Sequence, residues 1–134
     1  MTFEEFELKF AELVAKYGFV KDTWHYGWKP DKDYYVNRTE LPGKPDAFVY
    51  YEYIPTSKKK LSVIFNSVLY YIAPTGMDSF TSKNHNLVYK DCDQFKWDNF
   101  ECWLNYQSET ISTALRLSKE KKEKKKLKEL KKDF

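Results

Sequence analysis

A chain of 134 residues with 19% aromatic side chains, four Gly and five Pro has the size of one domain and the means to bury a core, which excludes a disordered protein. Its formal charge of +3 is unevenly held: residues 119–134, KEKKEKKKLKELKKDF, carry nine Lys against three Glu and one Asp, net +5, whereas residues 1–118 carry 14 basic and 16 acidic groups, net −2. No apolar run reaches membrane-spanning length and MTFEEFELKF lacks the basic start and apolar stretch of a secretory signal, so the expectation is no membrane segment and a reducing cytoplasm.

Residues 3–17 read as an amphipathic helix. Thr2 and Glu5 have the spacing of a capping box, and Phe3, Phe6, Phe10, Leu13, Val14 and Tyr17 recur at helical spacing. Glu4, Glu5, Glu7 and Glu12 complement the start of the helix dipole. Gly18 is placed to end the helix in the left-handed region, with Phe19 folding back on the last turn. A strand is predicted over 19–28, then turn chemistry at Lys29–Asp33 and a short strand from Tyr34 to Thr39. The two prolines and one glycine of 41–46 make a loop. AFVYYEYI (47–54) and LSVIFNSVLYYI (61–72), rich in β-branched and aromatic residues, are strands joined as an antiparallel hairpin through the polar turn 55–60. Ala73–Asn84 reads as a long loop, followed by a short strand near 86–90.

From Asp98 the period returns to 3.6, with Phe100, Trp103, Leu104, Gln107, Ile111, Ala114, Leu115 and Ser118 on one face. If the helix runs to about residue 132, Leu127 falls about 160° and Leu130 about 100° from the Ile111 direction. With Phe134 these leucines form a stripe of their own, either a frayed end or a contact surface for a second protein or a second copy of this chain. The expected fold is α+β: an N-terminal helix, a four- to five-stranded antiparallel sheet, and a long C-terminal helix on the same sheet face. Residues 1–118 form the domain, and 119–134 a Lys-rich extension or frayed tail. Both faces of 47–54 and 61–72 are apolar, so the face the helices leave uncovered is expected to offer tyrosines, unless loops 29–33 and 73–85 cover it.

No catalytic, metal or cofactor motif stands out. His25, His85, Cys92 and Cys102 match no zinc-module spacing, and two cysteines make no disulfide framework. Asp91 and Asp93 flank Cys92 and are read as strand terminators and helix caps. Pro45-Asp46 followed by Glu52 lacks the lysine a metal-dependent nuclease strand needs, since Tyr53 and Ile54 follow. A Cys–His nucleophile would join Cys92 or Cys102 to His25 or His85, but Cys102 reads more simply as a small core residue. The sequon Asn37-Arg38-Thr39 is without meaning in a cytoplasmic protein.

Nucleic-acid binding has more substance. Trp24, Tyr26, Trp28, Tyr34, Tyr35, Tyr51 and Tyr53 fall on strands, and Lys58, Lys59 and Lys60 share one turn. With 21 Lys and only Arg38 and Arg116, the chain lacks the rigid forks that read base edges, whereas non-specific attraction to a polyanion remains open. Lys, Asn, Tyr and Phe share A/T-rich codons, which points to a low-GC bacterium or its phage. The function expected is that of a non-enzymatic binding protein, phage or mobile-element encoded, that engages a host protein or nucleoprotein, as an inhibitor of a host defence system such as an anti-CRISPR does. The expected contacts are Tyr51, Tyr53, Lys58, Lys59, Lys60, Lys122, Lys125, Lys126, Leu127 and Leu130, with a homodimer as a further form. The alternatives are a non-specific single-stranded nucleic-acid binder and a small metal-dependent nuclease or hydrolase.

Overall fold

The computed structural model describes residues 1–26, 29–37, 46–72 and 78–132, with side chains at 24–31, 70–72 and 78–80 outside that description. The elements are α1 (Phe3–Lys16), β1 (Val20–Tyr26), β2 (Lys29–Asn37), β3 (Ala47–Tyr53), β4 (Leu61–Ile72), β5 (Asp78–Tyr89), a 3-10 turn at Cys92–Gln94 and α2 (Trp97–Lys132). The strands form one antiparallel meander in the order β1-β2-β3-β4-β5. This is the α+β fold expected, with five strands.

Local chemistry sets the helix ends. Thr2 Oγ1 accepts from the Glu5 N–H at 3.1 Å, satisfying one free donor of the first turn. At the other end Gly18 has φ 84°, a conformation that favours glycine because it carries no Cβ. The Phe19 N–H then reaches the Val14 carbonyl and the Gly18 N–H the Ala15 carbonyl, the paired bonds of a Schellman stop. Asp91 caps the 3-10 turn through the Gln94 N–H, as its place after the last strand predicts.

Both helices lie on one sheet face. Phe6, Phe10 and Val14 of α1 and Phe100, Leu104, Gln107, Ile111 and Ala114 of α2 are buried there, over Val49, Leu61, Val63 and Phe65. Phe100 sits at the junction: its ring centroid is 4.9 Å from Phe10, 5.4 Å from Phe95 and 5.8 Å from Phe65. Glu101 ties the helices together at the surface, accepting from the Tyr17 hydroxyl at 2.9 Å and from Lys16 Nζ at 3.1 Å. Those two bonds hold its carboxyl below the usual carboxylate range.

Gln107 is fully buried. Its Oε1 accepts the Val68 N–H at 2.8 Å, beyond the last β3–β4 pair, Phe48↔Asn66. Its Nε2 has no hydrogen-bond partner among the described residues. Gln107→Leu strands the Val68 N–H in the core and also removes the unpaired Nε2. The net expected loss is about 1–2 kcal/mol, below the roughly 3 kcal/mol ceiling for a buried unmet donor. Urea unfolding at unchanged m-value measures it.

The structure corrects three expectations. Lys29–Asp33 is not a turn but the start of β2: Tyr26 pairs with Lys29 and Lys32 with Trp24, with an irregularity between them. Pro30 falls at that irregularity, where a missing N–H costs no ladder bond. Residues 78–85 are not loop but the first two-thirds of β5, paired with β4 from Ile72↔Asp78 to Leu61↔Tyr89. Thr81 to Asn84 are exposed, so this stretch of the edge strand is polar on both faces and its backbone pairing, not its side chains, makes it a strand. Cys102 is exposed; the buried thiol is Cys92. Residues 41–45, 73–77, the sequon positions Arg38 and Thr39, Trp28 and Phe134 lie outside the described residues.

Candidate functional site

Tyr51 and Tyr53 point to the helix-covered face. Tyr51 packs edge-on against Phe6 at 5.3 Å and Phe10 at 4.9 Å, and its hydroxyl donates to Glu7 at 3.1 Å. Tyr53 stacks on Phe3 at 4.2 Å. Both are half-buried by α1, so these two of the expected contacts stand on the helix-covered face. Tyr35 likewise packs on Phe10. The opposite face carries Tyr34, Phe48 and Tyr50 in ring contact, with Lys32 ion-paired to Glu52 and 5.6 Å over the Tyr50 ring. That face is not bare: Val36, Asn66 and Val68 on it are buried. Residues 29–33, expected as a cover for it, are strand instead.

Burial and the nearby Glu7 carboxylate push the Tyr51 phenol far above its ordinary value of 10. A phenol raised in the fold favours the folded state fully below pH 10, and that contribution is lost as pH rises beyond it. Tyr51→Phe should therefore unfold at higher pH than the parent in an alkaline titration followed by tyrosinate absorbance; an equal midpoint would place the alkaline sensitivity elsewhere.

The candidate catalytic groups are scattered. His85 lies on the α2-facing side of β5, in a trough whose lining has no Cys, Asp or Glu. Cys92 is buried in the 3-10 turn, and burial raises its thiol. Asp46 immediately precedes β3 and Glu52 lies six residues on, near the strand's other end, about 20 Å away along extended chain, with Glu52 held by Lys32. Among the described residues no three His, Cys, Asp or Glu side chains gather as metal ligands. The His25 side chain lies outside the description.

The basic surface is built by α2. Its 36 residues span about 54 Å at 1.5 Å per residue. The last buried side chain is Ala114, and every residue from Lys119 to Lys132 is exposed. Some 14 residues, about 21 Å of helix, thus project beyond the body. A free helix of that length is marginal, but this one propagates from a docked segment. Glu120 stands four residues before Lys124, and Lys131 and Lys132 oppose the dipole of the last turn. On a helical projection the nine lysines occupy an arc of about 240°, and Glu120, Glu123, Leu127 and Leu130 share the remaining arc of about 80°. Leu127 and Leu130 are 57% and 56% exposed. Lys122, Lys125 and Lys126 thus lie on the lysine arc of this extension, and Leu127 and Leu130 on the other.

Lys58, Lys59 and Lys60 do not join them. Their turn closes with the Ile54 N–H on the Lys60 carbonyl at 2.7 Å, beside the Tyr53↔Leu61 pair. Leu61 also pairs with Tyr89, where β5 leads into the start of α2. The extension leaves the sheet at the far end, beyond Gln107 and Val68. Among the described residues, the Lys58–Lys60 turn and the lysine-rich end of α2 therefore lie at opposite ends of the sheet. No helix among the described residues is long and apolar enough to cross a membrane. Compared with protein-family models, curated proteins and solved structures, the chain matches none.

Proposed function

We propose that this chain is a non-enzymatic binding protein that grips a polyanionic partner, a nucleoprotein, with the projecting end of α2. The observation that carries the reading is a helical segment, Lys119–Lys132, exposed along its whole length and bearing nine lysines beyond a body of net charge −2. Charge held at exposed positions faces solvent, and such a field draws polyanions in a salt-dependent way. Leu127 and Leu130 on the lysine-poor arc add an apolar contact suited to the protein component. The finer form of this reading is a phage or mobile-element inhibitor of a host defence complex, the class to which anti-CRISPR proteins belong; its support is size, composition and the two-part charge distribution.

A bare single-stranded nucleic acid is the second reading. Its support is the same lysine field, because Tyr35, Tyr51 and Tyr53 are taken up by α1 and do not form an open stacking platform. The test is capture from a low-GC bacterial lysate by the full chain and by the chain ended at Ser118, each with and without nuclease. The nucleoprotein reading expects proteins retained by the full chain alone and partly released by nuclease. Retention by both forms alike would overturn it.

A further inference from the structure

The helix layer does not cover the whole sheet. α1 lies over β2 and β3 and α2 over β4, while α2 borders the inward side of β5 without filling the space against it. A trough of about 210 Å³ runs there. Its floor is His85, Leu87 and Tyr89 of β5, and its wall is Phe95, Phe100 and Trp103. Leu87 is 44% exposed in it. The volume lies below the range of small-molecule sites, roughly 300–1,000 Å³, and suits one large side chain.

Beside the trough runs the free edge of the sheet. β5 is last in the strand order, and all 12 of its residues pair with β4 alone. Its other edge therefore presents main-chain donors and acceptors with no strand partner among the described residues. Edge strands of this length are usually shortened, kinked or covered. An added strand would lie about 4.8 Å beyond β5, with alternate side chains directed at the trough.

The charges around the trough choose the occupant. Lys96 borders it, and Lys83, on the same face of β5 two residues before His85, extends the positive rim. Of the carboxylates nearest in sequence, Asp91 caps the 3-10 turn, Asp93 pairs with the Met1 amino group, and Asp98 lines a neighbouring depression with Lys96 and Asn99 but not the trough itself. The extension of this chain, with its nine lysines, is a poor match for such a rim.

We propose that the β5 edge and the β5–α2 trough form a docking site for an extended acidic peptide segment of a partner protein. The segment adds as a sixth, antiparallel strand, sets its carboxylates against Lys83 and Lys96, and buries one large apolar side chain between Leu87 and Trp103. This is strand addition, in which main-chain bonds hold the peptide and a pocket selects it. The surface is separate from the lysine-rich end of α2, so either assignment can fail without the other.

The probe is a capped, fluorescein-labelled decapeptide alternating Glu with Leu and one central Phe, added to the full chain. Anisotropy reports binding and hydrogen exchange reports its place. Expected are saturable binding, new protection of β5 amides, and a loss of at least about tenfold in affinity in Leu87→Asp, a change at a half-exposed site. The pair Lys83→Glu and Lys96→Glu, both at exposed positions, should weaken the acidic peptide and favour its lysine counterpart, since the rim charges select the partner. Binding unchanged in Leu87→Asp would overturn the proposal and place the peptide on the α2 extension. Protection of α2 without β5 would overturn strand addition. Concentration-dependent protection of β5 without peptide would show that a second copy of the chain takes the edge instead.

Discussion

Phe100→Ala is expected to cost about 3–5 kcal/mol, the range for removing a buried phenylalanine from a packed core. The ring is 3% exposed. Five aromatic rings surround it within 6.4 Å: Phe10, Phe65, Phe95, Trp97 and Trp103. These come from α1, β4, the connection after β5 and α2 itself, so no single element can move in to fill the space. A domain of this size holds only about 5–15 kcal/mol in total. The variant should therefore melt roughly 10–20 °C below the parent and lose about a fifth or more of its stability in urea. Leu130→Ala serves as the contrast. Leu130 is 56% exposed on the projecting helix, and its loss should stay within about 0.5 kcal/mol. A Phe100→Ala protein that melts with the parent would mean the two helices do not share a core at this residue.

Ending the chain at Ser118 should abolish polyanion binding and leave the fold intact. The residues removed include nine lysines, and the formal net charge passes from +3 to −2. Binding that neutralises about five phosphates of a single strand gives a slope of log K on log salt near −3.5. From 50 to 200 mM salt the affinity then falls by about two orders of magnitude. Replacing Lys122, Lys125 and Lys126 by Gln should reduce that slope by about 2 units, about 0.7 for each lysine that no longer neutralises a phosphate. The weakening should not depend on nucleotide sequence, because lysine is a point charge without the planar fork that reads base edges. Thermal unfolding of the truncated chain should match the parent, since the last buried residue of α2 is Ala114. A flat salt dependence, or equal binding by the truncated form, would remove the basic extension from any binding role.

Much of this architecture is legible in the order of residues alone. The 3.6-residue recurrence of Phe6, Phe10 and Val14, and of Phe100, Leu104, Gln107, Ile111 and Ala114, picks out the buried stripes of both helices, because one period binds side-chain direction to backbone geometry. Thr2, Gly18 and Asp91 announce their caps for the same local reason. β3 and β4 are plain from their apolar, β-branched composition. The exposure of residues 119–132 agrees with their charge, nine lysines that no core could take in.

Other features depend on partners distant in the chain. Residues 78–85 are too polar to look like a strand, and only the length of β4 beside them extends the pairing to Asp78. Pro30 looks like a turn residue until the irregularity in β2 gives it a place without a ladder bond. Tyr51 and Tyr53 alternate correctly, yet alternation cannot choose between two apolar faces of a strand. The choice comes from Phe3, Phe6 and Phe10, which cover one face and leave the other. The trough beside β5 has no sequence signature, because Leu87 and Trp103 meet only across the gap that α2 leaves over the sheet. Periodicity and charge belong to neighbouring residues and can be read in order. Face, edge and groove arise between elements, and they exist only once the chain has closed on itself.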